Sequence, residues 1–307
     1  MGRTRPVKPG PVAGRPRKAG LSVVAGNSPR AREEDHPSLW SRPRVRTLAI
    51  ASGKGGVGKS NLAANLAVAL GERGARVLLV DCDFAQANLD LLLGVHPRFD
   101  MSHVLRGEKT LEEIVVEGPA GVKLVPASSG DPELADLDDY RFEFVMRALG
   151  QLETDADLVL LDMASGISRA VTGFCLAAND VVVVATPELP SFSDAYALVK
   201  LLHAKGLKGA PHLMVSMSGT AEEAEETSHR VRLVARRFLR LELGAWAPVP
   251  YDSAIPAAVR RQEPVMTAFP KSPAAEAYRA IAARLWSPVV PDPNSDSHEE
   301  LPHRLEA

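Results

Sequence analysis

The apolar residues of this chain gather into short continuous runs rather than alternating ones. Runs at residues 47–52, 77–80, 122–125, 158–161, 181–184 and 213–215 are built mainly from Val, Leu, Ile and Ala. Runs of that length, bounded by turn-forming residues, read as strands, and their continuity means that both faces of each strand are covered. The first run opens into a glycine-rich segment, after which Leu62, Leu66, Ala69 and Leu70 recur at helical spacing as far as Gly74. The run at 77–80 closes on Asp81, completing a strand–loop–helix–strand unit. Helical stretches separate most of the later runs. Thr220 and Glu223 have the spacing of a capping box, opening a helix that reaches about Arg240, and a last helix is predicted over 273–286. The fold class that follows is α/β: a doubly wound, mostly parallel sheet with helices on both faces.

The two ends of the chain depart from this pattern. Residues 1–44 are rich in Pro, Gly, Arg and Lys and carry little apolar periodicity, so they bury too little surface to offset their chain entropy. They are expected to form a disordered basic tail. Their first stretch holds Arg3, Arg5, Lys8, Arg15, Arg17 and Lys18 and no acid. That charge suits a solvated tail, or an arm that touches nucleic acid or anionic lipid. Residues 288–307 hold four prolines and several acids, among them Asp292, Asp296, Glu299 and Glu300, and are expected to be a disordered acidic tail. One folded domain is left between them, over 45–287.

Composition narrows the class further. The 307 residues are 45% hydrophobic and 24% charged, enough apolar material for a sizeable core. The formal net charge of −2 predicts no global pull toward nucleic acid. Cys82 and Cys175 stand alone, with neither disulfide nor metal-ligand spacing, which fits a reducing compartment. No apolar run is long enough to cross a bilayer, and the basic N-terminus lacks the apolar core of a secretory signal. A cytoplasmic protein is expected.

The chemistry concentrates in the glycine-rich segment. Gly53, Lys54, Gly55, Gly56, Val57, Gly58, Lys59 and Ser60 fit the phosphate-loop pattern G-x-x-x-x-G-K-[ST]. Backbone N–H groups must turn inward around phosphate oxygens, and glycines let them do so. The following helix adds the positive end of its dipole. Lys59 is expected at the β- and γ-phosphates and the Ser60 hydroxyl at Mg²⁺. Asp162 ends an apolar strand, where a carboxylate can hold the metal or simply cap the following turn.

Lys54 directly follows the first glycine, which an ordinary phosphate loop does not show. With it, the segment 52–60 resembles the signature of the ParA/MinD ATPases, the deviant Walker A family. The resemblance covers about 46–286. It implies ATP and Mg²⁺ as ligands, and a homodimer, formed when ATP is bound, in which Lys54 of one copy reaches the nucleotide of the other. The stretch 81–90 is similar to the family's first switch, implying that Asp83 orients attacking water and contributes to the metal site, with Asp81 and Asn88 in support. The stretch 158–162 resembles Walker B, implying that Asp162 holds Mg²⁺. Gly166 falls where a switch glycine meets the γ-phosphate, and Asn61 joins the nucleotide contacts. Residues 60–63, 105–107, 186–188, 194–200 and 272–275 are similar to the flagellar-number regulators within the family.

The sequence also departs from that pattern. Ala85 replaces a switch glycine, and Met163-Ala164-Ser165 replaces the usual Thr-Gly-Ala. Ser216 stands where the family often has an adenine-contacting Asn, leaving backbone near Pro250 and Tyr251 to read the base. Residues 1–45 lack the activating motif with which the flagellar branch stimulates a partner GTPase, and the acidic tail lacks a basic membrane helix. The resemblance implies an ATPase with a partner GTPase or another polar or flagellar regulator, located in the cytoplasm, at the inner membrane or at the cell pole. Arg230, Arg232, Arg236, Arg237 and Arg240 in the helix 221–240 form either a solvated face or a surface for DNA or membrane. Two rivals therefore remain: a partitioning ATPase on DNA, and a scaffold that binds ATP without hydrolysing it. Iron–sulfur carriers of this superfamily need paired cysteines, and its tyrosine kinases a terminal tyrosine cluster.

Overall fold

The computed structural model describes residues 45–128, 139–152 and 155–286. Both expected tails, 1–44 and 288–307, lie outside the described residues. Six strands match the apolar runs: β1 (Arg46–Ser52), β2 (Val77–Cys82), β4 (Lys123–Val125), β5 (Leu158–Ser165), β6 (Asp180–Ala185) and β7 (His212–Ser218). Three two-residue strands, β3 (Val116–Glu117), β8 (Gly244–Ala245) and β9 (Val249–Pro250), carry too few side chains to show a period and were not expected.

Among the described residues the sheet runs in the order β3-β4-β2-β5-β1-β6-β7-β8, with β9 also paired to β7. Every pairing is parallel except β3 with β4. The glycine-rich loop therefore leaves the middle of the sheet, from a strand flanked by β5 and β6.

Eleven helices are described: α1 (Lys59–Gly71), α2 (Leu89–Leu93), α3 (Met101–Leu105), α4 (Leu111–Ile114), α5 (Asp139–Leu152), α6 (Arg169–Ala177), α7 (Leu189–Ala204), α8 (Ala221–Leu239), α9 (Ala254–Arg261), α10 (Val265–Ala268) and α11 (Pro273–Leu285). They split the core in two. Leu48 and Ile50 pack with α1, α9, α10 and α11, while Ala49 and Ala51 pack with α5, α6, α7 and α8. The same alternation recurs at Leu158 and Leu160 against Val159 and Leu161. Successive strand residues point to opposite faces and both faces are roofed, which is why the runs read as unbroken.

Local rules account for the helix ends. Thr220 caps α8 by accepting the Glu223 N–H at 3.1 Å. The Glu223 carboxylate accepts the Gly219 N–H at 2.6 Å, one residue before the cap, so the expected box closes one position early. Arg240 ends the helix in the left-handed region at φ 55°. Gly53 is a packing glycine: a Cβ there would lie 2.2 Å from the Asp194 carbonyl oxygen in α7. No described helix is long and apolar enough to cross a membrane.

Candidate functional site

The site is built at the C-terminal edge of the sheet, where β1, β5, β6 and β7 end, the place where open parallel sheets bind ligands. The loop after β1 is bent by Gly56 at φ 76° and Gly58 at φ 88°, conformations that side-chain-bearing residues rarely take. Gly58 is also the N-cap of α1 and provides no side-chain cap, so the first amides of that helix are left for an anion.

Several contacts shape this loop. The Ser52 hydroxyl donates to the Lys54 carbonyl at 2.8 Å. The Gly166 N–H donates to the Ser52 carbonyl at 2.8 Å, so the glycine expected at the γ-phosphate also ties β5 to the loop. Lys59 is buried and its Nζ donates to the Ser165 hydroxyl at 3.1 Å. Asn61 is half-buried in the first turn of α1, and its carbonyl accepts the Asn65 amide at 2.8 Å.

Two carboxylates stand side by side beneath the loop, since Asp81 and Asp162 are register partners of β2 and β5. Asp81 accepts the N–H groups of Asp83, Asn88 and Leu89 at 3.0, 3.2 and 3.3 Å. It pins both ends of the switch segment, and burial and the neighbouring Asp162 push its carboxyl well above the usual range. Asp162 is fully buried, and neither of its oxygens accepts a hydrogen bond. Burial raises its carboxyl, against the pull of Lys59 and the nearby Ser60 hydroxyl, which lies close without good hydrogen-bond geometry. A buried carboxylate with both oxygens unmet is costly unless a cation or a proton answers it. With the Ser60 hydroxyl and Asp83 nearby, this all-oxygen donor set fits Mg²⁺.

Asp83 is half-buried at the start of the switch, and its Oδ1 and carbonyl both accept the Gln86 N–H at 3.1 Å. Ala85 is exposed and lies outside the positive-φ region, so the turn does not require the glycine it replaces. Lys54 sits at the rim with its Nζ 2.5 Å from Glu188 Oε2. Ser216 and Met217 end β7 against the loop, the Ser216 hydroxyl donating to the Val57 carbonyl at 2.5 Å. Pro250 pairs with Ser218, and Tyr251 donates its N–H to the Ser218 carbonyl at 2.8 Å with its ring exposed.

The structure thus brings the phosphate loop, Asp81, Asp83, Asp162 and the end of β7 near one another. Ser165 and Glu188 were noted in the sequence only as parts of motifs, and their partners Lys59 and Lys54 lie more than a hundred residues away. No local pattern reports such contacts. On α8, Arg230 pairs with Glu226 and Arg236 with Glu242, while Arg237 lies over the Phe238 ring at 5.5 Å. Both cysteines are buried in the core.

Comparison with known proteins agrees with this fold. A ParA family model, described as an NUBPL iron-transfer P-loop NTPase, matches residues 44–286. The antiactivator FleN of Pseudomonas aeruginosa is 35% identical over 253 residues, covering 82% of this chain and 90% of that protein. The flagellum site-determining protein YlxH of Helicobacter pylori is 32% identical over 250 residues, covering 80% of this chain and 84% of its own length. Among solved structures, the septum site-determining protein MinD of Pyrococcus horikoshii, complexed with Mg-ADP, superposes with a TM-score of 0.67 at 26% identity, covering 78% of this chain and 96% of that one. The cell division ATPase MinD of Pyrococcus furiosus gives 0.66 at 28%, over 78% and 97%. By sequence and by architecture, the chain belongs to the ParA/MinD family of P-loop NTPases and falls with its flagellar number and site-determining branch.

Proposed function

We propose that this protein is an ATP-driven switch. Two copies close face to face around their nucleotides, slow hydrolysis reopens them, and the closed form governs the number or placement of flagella from the cytoplasm, the inner membrane or the cell pole. The observation that carries this reading is the division of labour between two lysines. Lys59 is buried inside the phosphate loop, whereas Lys54 ends at the rim on Glu188, where both side chains meet solvent.

In this reading the loop amides and Lys59 hold the β- and γ-phosphates. Ser60 and Asp162 hold Mg²⁺, with Asp83 beside them. Bound there, the ion would offset the negative charge that develops on the phosphate oxygens. Asp83 orients the attacking water, on a switch segment whose two ends Asp81 fixes. Lys54 leaves Glu188 and meets the nucleotide of the other copy, as a lysine counterpart of an arginine finger. Base contacts come from backbone near Pro250 and Tyr251. The output passes to a GTPase or another polar or flagellar regulator.

The test combines binding, size and turnover. Wild type should bind ATP with Mg²⁺ and become dimeric with a non-cleavable analogue, whereas Lys54→Ala should bind and stay monomeric. Turnover should fall at least about a hundredfold in Asp83→Ala. A wild type that remains monomeric when saturated overturns the switch. A wild type that dimerises without measurable turnover is a scaffold, and ATP-dependent, salt-sensitive retention on nonspecific DNA would point instead to partitioning.

A further inference from the structure

The end of β7 holds a buried polar contact that phosphate binding alone does not require. Ser216 is buried, and its hydroxyl donates across 159 residues of sequence to the carbonyl of Val57, which is also buried. We infer that Ser216 is a positioning residue of the phosphate loop, acting through the Val57 carbonyl, and not a hydrogen-bond donor to the nucleotide base. The inference rests on the nucleotide-binding part of the proposed function and deepens it.

The geometry gives the contact its leverage. Val57 lies between two left-handed glycines, Gly56 and Gly58, so the peptide planes on either side of it are set by unusual dihedrals. In a planar trans peptide the C=O and the next N–H point in opposite directions. Drawing the Val57 carbonyl toward β7 therefore aims the Gly58 N–H away from β7. A hydroxyl has one proton to give, and that of Ser216 is committed to the loop. It has none to donate to a base.

The strand end is shaped around this contact. Its pairing with β9 slips between Ser216 and Ser218, a bulge that re-aims side chains. Met217, at that slip, takes φ 57°, a left-handed conformation that costs a non-glycine residue energy and persists only where surrounding structure enforces it. The Met217 side chain turns outward along the loop, its Cε 3.3 Å from where a Gly58 Cβ would stand, while Ser216 Oγ lies 3.7 Å from the same point. Both residues therefore lie beside the loop at Gly58.

The experiment compares full-length wild type, Ser216→Ala and Ser216→Thr. Affinity for Mg-ATP and Mg-GTP is measured by competition against a fluorescent nucleotide, and exchange of the amides of 55–60 is followed by deuterium uptake in nucleotide-free protein. A clamp predicts that Ser216→Ala weakens both nucleotides by the same factor, about threefold to tenfold for one buried hydrogen bond. It also predicts faster exchange of the loop amides and recovery of both properties in Ser216→Thr. Unchanged affinities with unchanged exchange overturn the inference, as does a loss confined to one of the two bases. If wild type binds neither nucleotide, the proposed function fails, and the exchange comparison still decides whether Ser216 holds the loop.

Discussion

Asp162 is sealed between strands with no hydrogen-bond donor on either oxygen, yet it lies within the influence of Lys59 and Ser60. In the proposed reading, a protein at rest bears that cost for the sake of the ion that Asp162 would hold. Asp162→Asn, which keeps the shape and removes the charge, should therefore raise the stability of the nucleotide-free protein by about 1–3 kcal/mol in urea unfolding. The same variant should lose Mg²⁺-dependent ATP binding. A variant less stable than wild type would mean that the carboxylate is structurally paired. At this scale the sequence was informative where chemistry is local: the spacing of Gly53, Gly58, Lys59 and Ser60, and a carboxylate ending an apolar run. It was silent on Ser165 and Glu188 as partners, because the sheet brings them to the loop from distant strands and no periodicity encodes that approach.

Among the elements, long strands and long helices were legible because they bury enough side chains to show a period, whereas α2, α3, α4, α9 and α10 were not. Those short helices are set by caps and by the surface they cover, as where Thr110 and Glu113 cap α4 reciprocally. The join between the phosphate loop and α7 is an element-scale contact with a sharp consequence. Because a Cβ on Gly53 would strike the backbone of Asp194 and not a side chain that could swing away, Gly53→Ala must displace the loop or the helix. It should cost about 1–3 kcal/mol in unfolding and weaken ATP binding, whereas Gly74→Ala, open around its Cβ but left-handed, should cost stability alone. Equal ATP affinity in both variants would show that the wedge does not reach the site.

Across the whole molecule, the sheet has a reactive edge and a quiet one. His212 opens β7 at the quiet edge, its ring packed near Trp246 and Gly244. Burial holds its pKa below the usual 6.5, and Arg46 adds to that against the opposing pull of Asp180. The unfolded chain therefore takes up the proton first as the pH falls. The contribution of this group is present above about pH 6.5 and is lost on acidification through that value. Asp81 and Asp162, whose raised carboxyls take up protons first in the folded protein, act in the opposite sense over the same range. The effect of His212 is therefore read as a difference: from about pH 7.5 to 5.5 the urea midpoint of His212→Gln should gain on that of wild type. An identical slope in the variant would remove His212 from the cause. The order of the strands was beyond the sequence, since continuous apolar runs declare that a strand is central without naming its neighbours. The presence of two roofed faces was not.

The wedge at Gly53 and the grip of Lys54 on Glu188 fall on the same helix, one near its middle and one at its cap. That helix, α7, lies along α8. In the proposed switch, a movement of the loop as a phosphate arrives or departs would press on that rod at both points and reach α8 through it. A partner resting on those two helices would then sense the nucleotide without touching it.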